Sequence, residues 1–315
     1  MALLIVAVVA GISIKFASDY QLGLTRAENR WHGQQARSYL QGVESLAISF
    51  LKEDDPAVDY YGEGWDTEVP YEIEGGWLSG ALSDASSRLN LNSLNTPFVA
   101  EKPGNSHERY SEPQRRFIRL LQCIPETPLS LDEAVAVLEA IVDWMDPDDE
   151  DSGFGGAESF FYQSAEIPYQ TANGPFVSFD ELRLVRYMTP ELMLWLSAYT
   201  TVLPGQEGTN VNTMPPLLLR TLNAAEQLEP LSEMDAQQLV DSLPEAGFYT
   251  DVSELSTAWD LVVGSGTLDT NGLTVKTNYF WLRTQVSLVN QERIMQSLLI
   301  RNGPDIRVMR RSDDY

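Results

Sequence analysis

Hydrophobic and polar positions divide the chain into three regimes. Residues 1–14 are almost wholly apolar, Met1-Ala-Leu-Leu-Ile-Val-Ala-Val-Val-Ala-Gly-Ile-Ser-Ile14, and are closed by Lys15. Fourteen helical residues cover about 21 Å against a hydrocarbon core of roughly 30 Å, so the run is short for an independent span. Lys15 can snorkel, which lets Phe16 and Ala17 lengthen the buried part. A signal-peptide core has a similar length, but it carries a basic segment before it and a cleavage site after it. Here no basic residue precedes the run, and the pattern beyond it stays helical. Tyr39, Leu40, Val43, Leu46, Ala47, Phe50 and Leu51 recur at three- and four-residue steps, with no proline before Pro56. The spacing predicts one helix of about 52 residues, roughly 78 Å long.

The second regime is short and β-like. Val69–Glu74, a Gly75-Gly76 turn and Trp77–Ser83 read as a hairpin, and Arg88-Leu-Asn-Leu-Asn-Ser93 alternates polar and apolar residues to close this section. The third regime, from about Leu94 to Leu261, is mostly helical. Amphipathic stretches lie at Phe117–Cys123 and Leu131–Met145, the latter opened by Ser130 as a cap. Further helices are predicted at Ser178–Tyr187, Pro190–Tyr199, Pro215–Ala224 and Met234–Ser242. Strands return at Thr274–Val289, Arg293–Arg301 and, after an Asn302-Gly303 turn, Ile306–Val308. The helical region carries a weak internal echo. Leu89-Asn90-Leu91-Asn92-Ser93 reappears as Thr209-Asn210-Val211-Asn212-Thr213, and Phe176 to Leu182 reappears as Phe248 to Leu255. This predicts two related helical modules.

Composition narrows the function classes. Twenty-one Lys and Arg against 46 Asp and Glu give a net charge of −25, which opposes the phosphate attraction that nucleic-acid binding needs. No nucleic-acid partner is expected, although SAM-like and helix-hairpin-helix modules elsewhere contact DNA. The single cysteine, Cys123, excludes an internal disulfide framework and a multi-cysteine zinc site. Two histidines, His32 and His107, leave little for a Ser-His-Asp triad. Gly264-Ser265-Gly266 lacks the lysine of a phosphate loop and reads as a turn.

The strongest chemical signal is acidic. Residues 120–182 hold no Lys, Arg or His yet carry fourteen carboxylates, six of them in Asp143-Trp-Met-Asp146-Pro-Asp148-Asp149-Glu150-Asp151. Ca²⁺ takes six to eight oxygens in flexible geometry, which an acidic, glycine-containing loop supplies, whereas Mg²⁺ demands a stricter octahedron. Asp146, Asp148 and Glu150 follow the one-three-five spacing of an EF-hand. However, Asp151 replaces its glycine and Glu158 falls one residue beyond its closing glutamate, so the loop is no EF-hand. A solvated acidic loop is the competing reading, and the bordering aromatics Trp144, Phe154, Phe160, Phe161 and Tyr162 favour an ordered one. A glycoside-hydrolysing carboxylate pair drawn from Asp143 or Glu158 is the enzymatic alternative, but nothing singles out one protonated acid.

A long N-terminal helix, membrane-apolar first and amphipathic after, is the plan of type IV pilins and pseudopilins, and equally of a single-pass anchor with a helical stalk. Five further pieces, in order along nearly the whole chain, resemble type II secretion system protein K, a minor pseudopilin family. They are Ala2-Leu-Leu-Ile-Val-Ala7, Arg88–Ser93, Asp143-Trp-Met-Asp146-Pro-Asp148 with Gly156-Ala-Glu158, Tyr169–Asn173 running into Phe179–Leu182, and Asn210–Thr213. The resemblance implies an α+β, pilin-like fold, a long N-terminal helix packed on a small antiparallel sheet, with a large inserted all-α domain of two SAM-like modules. It implies a membrane-anchoring segment at 1–25, a pilin-like part at 26–92, the inserted domain with its acidic calcium loop at 93–273, and final strands at 274–315. Ca²⁺ is implied as the bound ion, with Asp143, Asp146, Asp148, Asp151 and Glu158 as candidate ligands. Ser159 stands where related chains often have another acid. Met1 is implied to be the N-methylated mature N-terminus. Ile5 replaces the pilin glutamate that neutralises a neighbour's amine in lipid, where an unpaired carboxylate would be costly. A tip subunit has no neighbour above to neutralise. The expected role is non-enzymatic: initiation and capping of the pseudopilus with minor pseudopilins I and J, then H, from a single-pass inner-membrane anchor with the bulk in the periplasm. A membrane-anchored calcium-dependent adhesion or carbohydrate-binding module is the alternative.

Overall fold

The computed structural model describes residues 1–289 and 291–314. Helix α1 runs from Ala2 to Glu53, 52 residues without a break, as the apolar spacing predicts. Its first half is exposed along its whole length and is long and apolar enough to cross a membrane. The chain forms two compact units. The first comprises Met1–Asp54, Gly64–Ser83 and Trp281–Tyr315, and the second comprises Asp55–Glu63 and Asp84–Phe280. The chain passes between them at 54/55, 63/64, 83/84 and 280/281.

In the first unit a five-stranded sheet carries the second half of α1. Its strands are β1 (Tyr71–Ile73), β2 (Gly76–Asp84), β7 (Tyr279–Leu288), β8 (Gln291–Asn302) and β9 (Asp305–Asp314), in that order. The β1–β2 and β8–β9 pairs are antiparallel, and a bulge at Leu298/Leu299 interrupts the latter. Along β7 the buried residues alternate, Phe280, Leu282, Thr284, Val286 and Leu288, the mark of a strand with one covered face. Ala36 and Leu40 of α1 meet Val286, Leu288 and Met295 in the core. One turn further, Glu44 is buried and receives Ser297 Oγ at 2.7 Å and both Arg311 Nη2 (2.7 Å) and Nε (2.9 Å). Burial works to raise its pKa, but the hydrogen bonds from Arg311 and Ser297 outweigh it and hold the carboxyl below its ordinary value.

The second unit is helical. It holds α2 (Glu112–Leu121), α3 (Leu131–Met145), α4 (Ser159–Gln163), α5 (Pro190–Tyr199), α6 (Glu233–Asp241) and α7 (Val252–Val262). The strand pairs β3 (Leu89–Asn90) with β4 (Thr200–Thr201), and β5 (Thr209–Asn210) with β6 (Leu273–Thr274), are parallel. Four sequence expectations change here. Arg88–Ser93 does not extend the main sheet: only Leu89–Asn90 is strand, paired with β4, and a 3-10 turn follows at Leu91–Leu94. Thr274–Val289 is not one strand, because Leu273–Thr274 pairs with β5 and the long strand starts at Tyr279. The expected helices at Ser178–Tyr187 and Pro215–Ala224 are 3-10 turns at Phe179–Leu184 and Pro216–Thr221. Ser178 and Glu181 cap the first of these, and the extended backbone of Val185 ends it.

The internal echo proves to be a repeated clamp. Asn92 donates to Phe176 O (3.0 Å) and accepts Phe176 N–H (2.8 Å), and Asn212 treats Tyr249 identically, at 2.9 and 2.8 Å. Each side chain replaces a piece of backbone ladder, so each satisfies buried main-chain groups in a segment with little sheet of its own. Just beyond each clamped aromatic a glutamate caps the next turn, Glu181 onto Ser178 N–H and Glu254 onto Thr250 N–H. The core between the halves is large and includes Phe117, Leu138, Ile141 and the fully buried Trp259, whose Nε1 donates to Leu222 O at 2.6 Å.

Candidate metal centre

The site grows from the end of α3. Ser130 caps its start and Glu133 returns the bond to Ser130 N–H. Its last turn contains no basic residue, which leaves the partial negative charge of the helix C-terminus uncompensated and favourable to a cation. Asp143 lies in that last turn, Asp146 is the C-cap, and Glu158 begins α4 after the loop returns. One carboxylate oxygen from each of these three lies within 4.8 Å of the others. Asp148 and Asp151 are exposed and stand outside this group, Asp148 turning to accept Glu150 N–H at 2.9 Å.

Asp143 is fully buried and accepts Ser152 N–H (3.2 Å) and Ala157 N–H (2.8 Å). The other two are under-served. Neither oxygen of Glu158, a residue 3% exposed, has a hydrogen-bond partner, and Asp146 Oδ1 has none. Burial, with Asp143, Asp146, Asp149 and Asp148 adding like charge, pushes Glu158 up to about 8. Asp146 rises to about 6 from burial and from Asp148 and Asp143, and burial also raises Asp143. Three crowded carboxylates with orphaned oxygens fit a hard divalent cation, which would return all three to their ionised forms.

The loop is braced from residues that sequence reasoning did not single out. Glu139, one turn before Asp143, is buried and accepts Gly155 N–H at 2.9 Å and Arg109 Nη2 at 3.2 Å. Arg109 also donates to Ser152 O, and Arg186 donates to Gly156 O at 2.9 Å. A Cβ on Gly155 would lie 2.2 Å from Ala136 Cα, and one on Gly156 would lie 2.5 Å from Asp143 Oδ2, so only glycine lets the loop return onto α3. Trp144, Tyr162 and Tyr169 pack edge to face or tilted with centroids 5.1 to 6.3 Å apart, fixing α4 against α3. Glu139 carries the helical four-residue spacing to Asp143 and was findable in the sequence. Arg109 and Arg186 lie too far along the chain to signal their role.

An apolar-headed helix long enough to cross a membrane, set on an antiparallel sheet, with a helical unit bearing a buried carboxylate cluster, defines an α+β subunit of the pilin-like class. A family model described as "Type II secretion system (T2SS), protein K" matches residues 87–205. Type II secretion system protein K of Aeromonas hydrophila is 30% identical, covering 99% of this chain and 95% of its own length. The protein of the same name from Pseudomonas aeruginosa is 30% identical over 98% of this chain and 90% of its own. Among solved structures, a chain from the GspK-GspI-GspJ complex of enterotoxigenic Escherichia coli superposes with a TM-score of 0.74 at 23% identity, covering 92% of this chain and 99% of that one. The chain belongs to the type II secretion system protein K family and is a minor pseudopilin.

Proposed function

We propose that this subunit starts and caps the pseudopilus in a complex with minor pseudopilins I and J, with H joining below. The observation that carries the reading is the full-length correspondence with a chain solved in a complex of the three. Two features of this chain support it. Ile5 stands in the apolar run where a lipid-buried carboxylate would otherwise await a neighbour's amine. The helical unit, Asp55–Glu63 and Asp84–Phe280, is the larger part of the chain, a bulk suited to an end position rather than to repetition along a thin fibre. The first half of α1 would hold the subunit in the inner membrane, with the rest of the chain in the periplasm.

In this reading Asp143, Asp146 and Glu158 hold Ca²⁺, with Asp148 and Asp151 close along the loop to supply further oxygens directly or through water. Bound calcium neutralises the cluster and locks the loop between α3 and α4. The role is structural rather than catalytic: both Glu158 oxygens are shielded from solvent, where a glycosidic oxygen could not reach them. The test is co-expression with pseudopilins I and J of the same organism and extraction in calcium and in chelator. A ternary complex that survives in calcium is the expected result. Failure to recover one in either condition would turn attention to the anchored adhesion module.

A further inference from the structure

The N-terminal end of α2 borders a cavity of about 200 Å³ that lies apart from the metal centre. Ser111 and Arg116 line it from α2, with Glu207, Asn271 and Gly272 from the segments leading into β5 and β6. Three arginines of α2, Arg115, Arg116 and Arg119, are buried here against two carboxylates, Glu112 and Asp269. Glu207 lines the same cavity, so the three cations face three carboxylates.

The three guanidinia are served unequally. Arg119 donates to Glu112 and to the carbonyls of Thr221, Ala224 and Gln227. Arg115 donates to Glu112, Asp269 and Tyr110 O. Arg116, 1% exposed, makes one hydrogen bond, Nη2 to Asp269 O at 2.7 Å, and its Nε lies 3.4 Å from Glu112 without an acceptor. A guanidinium has five N–H donors, so most of this one is unused. Its Nη1 faces Gly272 across the cavity wall, 3.5 Å from where a Cβ there would lie. Ser111 Oγ faces the Gln114 N–H in a capping box but makes no close hydrogen bond, which leaves its hydroxyl proton available to donate. A helix N-terminus adds partial positive charge and forward-pointing N–H groups. Burial, with Arg119 and Arg115 nearby, lowers Arg116 to about 10 despite Glu112, so it stays charged at neutral pH.

We propose that this cavity binds a small carboxylate, seated on Arg116 and Ser111 at the N-terminus of α2. The Arg116 fork matches a carboxylate in geometry, and one would satisfy its unused N–H donors. Glu207 shares the cavity and opposes the ligand's charge, so it sets the affinity without being needed for the fold; its one hydrogen bond is a long one from Asn278 Nδ2, at 3.4 Å. The carboxylate comes either from a free small acid or from the end of a polypeptide.

The test is thermal unfolding of the full-length protein in detergent micelles, with calcium present, in sodium acetate against sodium chloride at matched ionic strength. Acetate is expected to raise the Tm saturably. Glu207→Gln is expected to tighten the acetate response about fivefold by removing a like charge, and Arg116→Lys to abolish it. Should Arg116→Lys fail to fold, Glu207→Gln alone decides. Equal Tm in acetate and chloride, for both wild type and Glu207→Gln, would show that the cavity holds only water and overturn the proposal. An acetate response that Glu207→Gln leaves unchanged would place the effect elsewhere and overturn it as well. Comparing a blocked triglycine bearing a free C-terminal carboxylate with its amide separates the two sources. Action by the acid form below the acetate concentration assigns a polypeptide end, and action only above it assigns a free acid.

Discussion

The two halves of the helical unit share a frame but not a task. Asn92 clamps Phe176 and Asn212 clamps Tyr249 with the same pair of main-chain hydrogen bonds. In both halves a serine-capped helix lies between asparagine and aromatic, α3 after Ser130 and α6 after Ser232. From the end of that helix to the clamped aromatic, the second half needs only residues 242–248. The first half uses residues 146–175, and those carry Asp146, the acidic loop, Glu158 and α4. The clamp is therefore architecture, and the candidate metal centre is an elaboration of one copy of it. A second contrast runs between the two compact units. The first unit has eleven Lys and Arg against thirteen Asp and Glu, and the second has ten against thirty-three. The acidity of the chain belongs almost entirely to the helical unit, and four of that unit's ten cations, Arg109, Arg115, Arg116 and Arg119, are turned inward.

Breaking the joint between the halves should have the largest effect. Glu112 of the first half meets Arg119, which holds the backbone carbonyls of Thr221, Ala224 and Gln227 in the second. Glu112→Ala strands buried arginines and should cost about 3–5 kcal/mol of unfolding free energy in urea titrations. On the proposed calcium role, chelation should affect the first half only. At free calcium of about 100 times Kd, binding would contribute roughly 2.7 kcal/mol. Replacing Asp146 and Asp148 by Ala should lower the Tm in calcium and hardly change it in chelator; equal losses in both would remove the metal from the account.

The clamps can then be compared directly. Asn92 also donates to Leu203 O at 2.9 Å, a third bond that Asn212 lacks. At about 1 kcal/mol per bond, Asn92→Ala should cost about 3 kcal/mol and Asn212→Ala about 2 kcal/mol. A reversed order would show that the inserted loop, not the clamp, stabilises the first half.

The smallest effect sharpens the contrast between Asn90 and Asn210. Asn90 Nδ2 donates to Gly205 O, whereas Asn210 Nδ2 meets the buried carboxylate of Asp84, which also accepts from Thr213 Oγ1 and Ser86 N–H. Burial lifts Asp84 to about 6, against hydrogen bonds that pull it down. Its folded pKa thus exceeds its unfolded one, so the folded state gains from protonation as pH falls through 6. Between pH 6 and 5 Asp84 should add about 1 kcal/mol of stability, read as the difference in pH dependence between wild type and Asp84→Asn. A flat difference would mean that the carboxylate is not desolvated.

Much of the plan was legible along the chain, for physical reasons that differ by element. The length of α1 followed from an unbroken three- and four-residue apolar rhythm, and α5 from Thr189 and Pro190 at its start. The 3-10 turns at Phe179–Leu184 and Pro216–Thr221 share helical composition and caps with true helices, and only their surroundings decide how far the coil extends. At the candidate metal centre, charge density pointed to the acidic loop as a whole. It could not show that Asp143, Asp146 and Glu158 converge while Asp148 and Asp151 face outward, because neighbours in sequence differ in which way the folded loop turns them.

What the sequence by itself determined was periodicity, charge and the repeated asparagine motif, all encoded between residues a few places apart. Tertiary structure alone decided that Leu89–Asn90 pairs with Thr200–Thr201 rather than with the main sheet. It alone brought Arg109 and Arg186 in to brace the acidic loop, and it left Arg116 buried with most of its donors unspent. Those outcomes depend on contacts between residues tens to more than a hundred places apart, whose formation reflects the whole core rather than any local pattern.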